Sequence, residues 1–394
     1  MKITRRLFAF LILAAPVVLF SLAGSAKPPA SPNSYLVLVG TYTHKTESKG
    51  IYAFSYDTET GKLTPKGVAA ETSDPSWVVI HPNGKWAYVA NESGKESTIS
   101  AFALDAQSGK LTLLNKLPAL GEDPCYLSFD KTGKFVLIAN YTSGNIAVFP
   151  ILPDGKLGEH TAVVTDAGTL GPNKERQEGP HAHWIEPSAG NRYVYVSDLG
   201  LDHVLIYKFD VAKGTLTPAG AAAAKPNDAF SATLSPGTGP RHVAFSRDGK
   251  FMYVLGEIKS TVTVFANQAN ESYRSIQTIS TLPAGFSGRN DTAEIAMHPN
   301  AKWLYASNRG HDSIAVFEVE SGKGTLRLIA DVPTGGKEPR HFAIDPAGKY
   351  LLAENENSDT IVTFRIDPTS GKLTPTGDVA QVPAPVCLAF DLAH

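Results

Sequence analysis

One turn recurs along this chain and leaves few folds open to it. His81-Pro82-Asn83-Gly84-Lys85, Asp130-Lys131-Thr132-Gly133-Lys134, Ser246-Arg247-Asp248-Gly249-Lys250, His298-Pro299-Asn300-Ala301-Lys302 and Asp345-Pro346-Ala347-Gly348-Lys349 each separate two short apolar segments. Glu186-Pro187-Ser188-Ala189-Gly190-Asn191-Arg192 is a lengthened sixth version. Glycine near the fourth place supplies a positive φ, and proline fixes a first corner. Measured at the basic residue from Lys85 through Lys134, Arg192, Lys250 and Lys302 to Lys349, the spacings are 49, 58, 58, 52 and 47 residues. An irregular period of about fifty residues suits four-stranded blades joined by variable loops.

Each copy continues in the same way. An alternating strand such as Trp86-Ala87-Tyr88-Val89-Ala90-Asn91 leads through a polar loop to a third strand such as Thr98-Ile99-Ser100-Ala101-Phe102. A second turn, as in Ser108-Gly109-Lys110-Leu111-Thr112, opens an outer strand. Six copies are complete. Residues 35–70 hold only the last three strands of a copy, and Pro385 to Asp391 reads as a lone first strand. Joining the two makes a seventh blade and removes two exposed sheet edges. The expected fold is therefore all-β, a seven-bladed β-propeller over residues 35–394 with four-stranded blades, closed by strands from both chain ends. The 34 glycines and 27 prolines are scattered, and helix-period segments are scarce after the N-terminus.

The N-terminus stands apart. Lys2, Arg5 and Arg6 precede an apolar run from Leu7 to Ala23 and the small residues Gly24-Ser25-Ala26. That is the layout of a signal peptide over residues 1–26, and Arg5-Arg6-Leu7-Phe8 also fits the twin-arginine type. An ordinary Sec signal and an uncleaved anchor are the alternatives, since the run approaches the ~20 residues that span a bilayer. Residues 27–34, with three prolines, read as a linker. The expectation is an exported protein, periplasmic or secreted, with no membrane attachment once cleaved. Cleavage leaves 33 basic against 38 acidic residues, a net charge of −5, with no basic field for nucleic acid. Cys125 and Cys387 follow prolines at matching places in two blades and are expected to be buried and unpaired.

In such a ring the first strand of each blade lines the central channel. The loop leading into it shares a face with the loop between the second and third strands. Gly239-Pro240-Arg241-His242 opens one first strand and Glu257 ends the next, so antiparallel pairing brings Arg241 and Glu257 to one sheet edge. The same face collects His181, His183, Asp198, Arg309, Arg340, His341 and Glu354. Three arginines near histidines and carboxylates suit an anionic substrate and a developing oxyanion. The bland alternative is that these pairs only tie neighbouring blades together. His81 and His298 fall on the opposite face and receive no role.

At these positions the chain resembles the seven-bladed propeller lactonases, a family holding propeller-type 6-phosphogluconolactonases and the carboxy-cis,cis-muconate lactonising enzyme. The likeness is carried by Val39-Gly40-Thr41-Tyr42-Thr43, Gly179-Pro180-His181-Ala182-His183, Gly239-Pro240-Arg241-His242 with Glu257, Asn308-Arg309 and Pro339-Arg340-His341-Phe342, across residues 35–391. The resemblance implies hydrolysis of a sugar lactone without metal or cofactor, with His181, Arg241, Glu257 and Arg309 as catalytic residues. His183, His242, Arg340, His341, Asp198 and Glu354 are expected around the substrate. Glu257 or His181 would activate water, Arg241 would hold the oxyanion, and Arg309 and Arg340 an acidic group. A small-molecule lactone or acidic sugar is the only partner expected, and the chain is read as a monomer. The alternatives are a lactone-forming cycloisomerase of muconate type and a non-catalytic exported binding propeller. His181 and His183 alternate as a metal pair could, but no further ligand spacing accompanies them.

Overall fold

The apolar alternation on either side of each turn becomes seven antiparallel sheets arranged as blades of a ring. The computed structural model describes residues 33–219, 231–268 and 272–393. The expected leader at 1–26 and most of the linker lie outside them. Ser34 already belongs to the first strand, one residue earlier than the sequence suggested.

Blade 1 is the composite one. Pro385–Phe390 forms its inner strand and pairs with Ser34–Thr41, followed outward by Gly50–Asp57 and Leu63–Glu71. Blades 2 to 7 begin with inner strands Pro75–Ile80, Pro124–Phe129, Ala182–Pro187, Pro240–Phe245, Asp291–Met297 and Pro339–Ile344. Each then meanders outward through second, third and fourth strands. Blade 4 departs from this pattern. Its outer edge is shared by Thr215–Pro218 and Ser231–Thr233, which pair with successive parts of His203–Asp210.

The second and third strands are buried on both faces, because each blade is sandwiched between neighbours. Val136, Leu137, Ile138 and Ala139 are fully buried, as are Leu351, Leu352 and Ala353. Such strands read as near-continuous apolar runs, while the half-exposed outer strands alternate. In the turns, Gly84, Gly133, Gly249 and Gly348 all take φ between +67° and +70°. Ala301 adopts +59° at the equivalent place, a conformation that glycine takes more easily. The hairpin-face histidines link these turns across blades. His81 Nε2 lies 2.9 Å from the Gly133 carbonyl, and His298 Nε2 2.9 Å from that of Gly348.

Both cysteines are buried and free. Cys387 Sγ accepts the Val78 N–H at 3.2 Å, joining the closing strand to blade 2. Burial pushes both thiols up from their ordinary range, which keeps them protonated.

Candidate active site

Every inner strand carries the same irregularity near its start. The ladder slips by one residue between Pro75 and Trp77, Pro124 and Tyr126, Ala182 and Trp184, Pro240 and Val243, Thr292 and Ile295, and Pro339 and His341. In blade 1 the slip falls where Gly40 and Thr41 meet Cys387 and Pro385. A bulge of this kind re-aims side chains without ending the strand. The repeat places Ser76, Cys125, His183, Arg241, Ala293 and Arg340 at one level of the channel. Trp77, Tyr126, Trp184, His242, Glu294, His341 and Cys387 stand one residue further along.

Arg241 and Glu257 do meet. Arg241 Nε lies 3.1 Å from Glu257 Oε2, while Arg309 Nη2 stands 3.2 Å and Arg176 Nη2 2.6 Å from Oε1. Glu257 is only 4% exposed. Burial would raise its pKa, but Arg309 and Arg241, helped by Arg176, outweigh it and hold the carboxyl well below its usual range. A carboxylate so held is a poor proton acceptor. Glu257, expected with His181 as a candidate to activate water, is in this geometry the anion on which three guanidinium groups converge. Burial and the charges of Arg309 and Arg340 bring the Arg241 guanidinium down to about 10, still charged at neutral pH.

His181 sits beside this cluster. Its ring stacks on Tyr141 at 4.7 Å, and Nδ1 lies 3.0 Å from the Tyr141 carbonyl. A carbonyl only accepts, so Nδ1 carries a proton, and Nε2 is the nitrogen left to exchange one. Nε2 has no aligned hydrogen bond, and the exposed Glu178 carboxylate stands 3.2 Å away. His183 is enclosed by Cys125, Tyr141 and His242. Burial, with Arg241 next, lowers its pKa well below the ordinary histidine value, so it is neutral.

Two residues expected around the substrate are fully buried. Asp198 Oδ1 accepts the backbone N–H of His181 at 2.9 Å and of Leu201 at 3.0 Å, fixing the loop that carries His181. Glu354 accepts from His341 Nδ1 at 2.5 Å. Their geometry is that of supports rather than substrate contacts. His242 and His341 are likewise buried below the arginines, on either side of Glu294.

On the other side of the mouth, Arg340 Nη2 donates to the Tyr42 hydroxyl at 2.6 Å, and Tyr42 donates to Glu92 at 2.9 Å. Tyr42 and Glu92 line a cavity of about 1020 Å³ between blades 1, 2 and 7. Its wall also carries Glu47, Asp74, Glu356 and Asp359 against Lys45.

Arg176, Glu178 and Glu294 were not anticipated from sequence. Arg176 and Glu178 lie in the irregular stretch before Gly179, where no strand period marks an inward side. Glu294 had a signal, since it shares a register position with His242 and His341. The segment Asp291-Thr292-Ala293-Glu294 lacks the Pro-Arg-His frame that marks blades 5 and 7.

Comparison with known proteins places this geometry. A curated 6-phosphogluconolactonase of Bacillus subtilis is 37% identical over 357 residues, covering 90% of this chain and 98% of the relative. One from Formosa agariphila is 34% identical over 316 residues, 78% of this chain and 85% of the relative. The solved structure of a Pseudomonas aeruginosa periplasmic gluconolactonase matches with a TM-score of 0.83 at 32% identity, covering 91% of this chain and 99% of that one. The family model described as lactonase, 7-bladed β-propeller, matches residues 36–390, and the chain belongs to that family.

Proposed function

We propose that the chain hydrolyses the ring ester of a sugar lactone at the channel mouth, with His181 as the base and Arg241 as the oxyanion donor. The observation that carries this reading is the convergence of Arg176, Arg241 and Arg309 on Glu257 beside a histidine held through Nδ1 by the Tyr141 carbonyl. Arg176 also reaches Asp291 at 3.7 Å, and the guanidinium N–H groups not taken up by these carboxylates are the donors for the charge that develops on the lactone carbonyl oxygen.

His181 Nε2 takes a proton from water as the oxygen attacks the carbonyl carbon. The tetrahedral oxyanion forms against Arg241. On collapse the C–O bond of the ring breaks, and the imidazolium returns its proton to the departing ring oxygen. The product is a hydroxy acid, whose carboxylate Arg309 is placed to hold. Glu178, 3.2 Å from Nε2, stabilises the transient imidazolium. Glu257 fixes the arginines throughout.

The acidic wall of the neighbouring cavity favours an uncharged polyol end over a phosphate. Residues 1–26 support the same choice, because an exported enzyme meets unphosphorylated lactones from sugar oxidation outside the cytoplasm. Hydrolysis of glucono-δ-lactone and of its 6-phosphate, after subtracting the uncatalysed rate, tests both points. The wild-type protein should accelerate both and show the higher kcat/KM on the unphosphorylated ring. His181→Asn keeps a donor for the Tyr141 carbonyl and should lose about a hundred- to ten-thousandfold in kcat. An unchanged rate removes His181 from the mechanism; no acceleration of either lactone overturns the reading.

A further inference from the structure

Beneath the arginines, the channel holds a buried chain of polar groups that the hydrolysis scheme does not use. Arg241 Nη1 donates to the Ala293 carbonyl and lies 3.2 Å from Nε2 and 3.4 Å from Nδ1 of His242, against the imidazole ring. His242 Nδ1 is in turn 2.9 Å from Glu294 Oε2. A carboxylate only accepts, so Nδ1–H donates to Glu294, and the Arg241 guanidinium rests against the imidazole that Glu294 polarises. Glu294 Oε1 accepts the N–H of Ile295 at 2.9 Å, and Oε2 is also 3.6 Å from His341 Nε2. The bulge of blade 6 thus holds both members of the bulge of blade 5. Ala293 takes Arg241 directly, and Glu294 takes it through His242.

We infer that Glu294 is a positioning residue whose negative charge keeps Arg241 aimed at the substrate through His242, so that the site works fully only while this carboxylate is ionised. The inference rests on Arg241 being the oxyanion donor. If Glu294 gains a proton, it loses the charge that polarises His242, and the imidazole holds Arg241 less firmly.

The surroundings make that ionisation responsive. Burial pushes the Glu294 carboxyl up to about 7, opposed by His341 and then Arg241. Blade 5 faces it with Arg241 and His242, and blade 7 with His341, backed by Glu354 and Arg340. From blades 3 and 4 come Tyr126, Glu186 and His183, and from blades 1 and 2 the neutral Cys387 and Trp77. His341 is itself raised above its ordinary value: burial lowers it, but Glu354 and Glu294 outweigh burial. Glu294 also lines a cavity of about 610 Å³ on the hairpin face, through which it can exchange protons with solvent.

Glu294→Gln tests this by the ratio of wild-type to variant kcat/KM, which cancels any titration the two proteins share. Below about pH 6 the wild-type carboxyl is protonated and resembles the amide, so the ratio should approach one. Above about pH 8 it should reach tenfold or more, because the amide sets a donor against His242 Nδ1–H. A ratio constant with pH makes Glu294 merely structural and overturns the inference. Carboxyl 13C resonances of glutamate-labelled protein read the same group without turnover. The signal missing from Glu294→Gln should titrate near neutral pH and move upward in His341→Gln, which removes a stabilising charge. A signal flat between about pH 5 and about pH 9 overturns the inference whatever the lactones do. A titrating signal in a protein that hydrolyses no lactone overturns the functional reading alone.

Discussion

The two sides of the channel mouth use the same residue types in opposite proportions. Across blades 4 to 6, three arginines converge on one buried carboxylate, with Asp291 and Glu294 at the margin of the cluster. Across blades 7, 1 and 2, a single arginine is bound by Tyr42 and faces a cavity lined with five carboxylates and one lysine. Ion pairs as such therefore do not mark the site. The side where guanidinium groups converge can stabilise a new negative charge, whereas the side lined with carboxylates repels one and accepts hydroxyl groups. On the proposed function, that asymmetry would orient a lactone across the mouth with its carbonyl towards Arg241 and its hydroxyl tail towards Glu92.

The sharpest way to break this contrast is to remove the cation at its centre. Arg241→Ala should lower kcat by about a hundred- to a thousandfold, read in steady-state hydrolysis, because an oxyanion donor acts only in the transition state. A loss confined to KM would place Arg241 in ground-state binding instead. A smaller effect is expected on the acidic side. Tyr42→Phe keeps the ring 5.0 Å from the Arg340 guanidinium but deletes the hydroxyl that joins Arg340 to Glu92. KM should rise by up to about tenfold with kcat nearly unchanged. The smallest catalytic effect belongs to the hairpin face. His298→Ala removes the link to the Gly348 carbonyl and should lower stability by about 1 kcal/mol in denaturant titration, leaving kcat/KM within about twofold.

Much of this architecture is legible in the sequence because it is local. Asp248-Gly249 and its equivalents demand tight turns, and the runs around them have strand period, so the number of blades follows from counting. Pro385–Phe390 lacked partners in its own neighbourhood, and its pairing with Ser34–Thr41 followed from the three-stranded remnant at the other end. Arg241 and Glu257 were placed together by register alone. The protonation roles were not legible in this way. The charge around Glu257 comes from Arg309 and Arg241, which the sequence placed nearby, and also from Arg176, which reaches it from 81 positions away out of an irregular loop. Asp198 looked available until its oxygen was seen to accept two backbone N–H groups. The bulges were also hidden, since a one-residue slip in a ladder leaves no mark on apolar alternation.

The composite blade ties the folding of this protein to its far end. Its inner strand, Pro385–Phe390, must pair with residues 34–41 after six intervening blades have been synthesised. Chain-closure entropy grows only with the logarithm of loop length, by about 0.6 kcal/mol for each doubling, so this arrangement weighs little on equilibrium stability. It weighs on time: contacts this distant in sequence form late and slowly. Until they form, the second strand of blade 1 presents an unpaired edge, and the Val78 N–H lacks the Cys387 sulfur that accepts it. The ring is thus a topological clasp, and the interval before it shuts is when the chain is most open to aggregation and proteolysis.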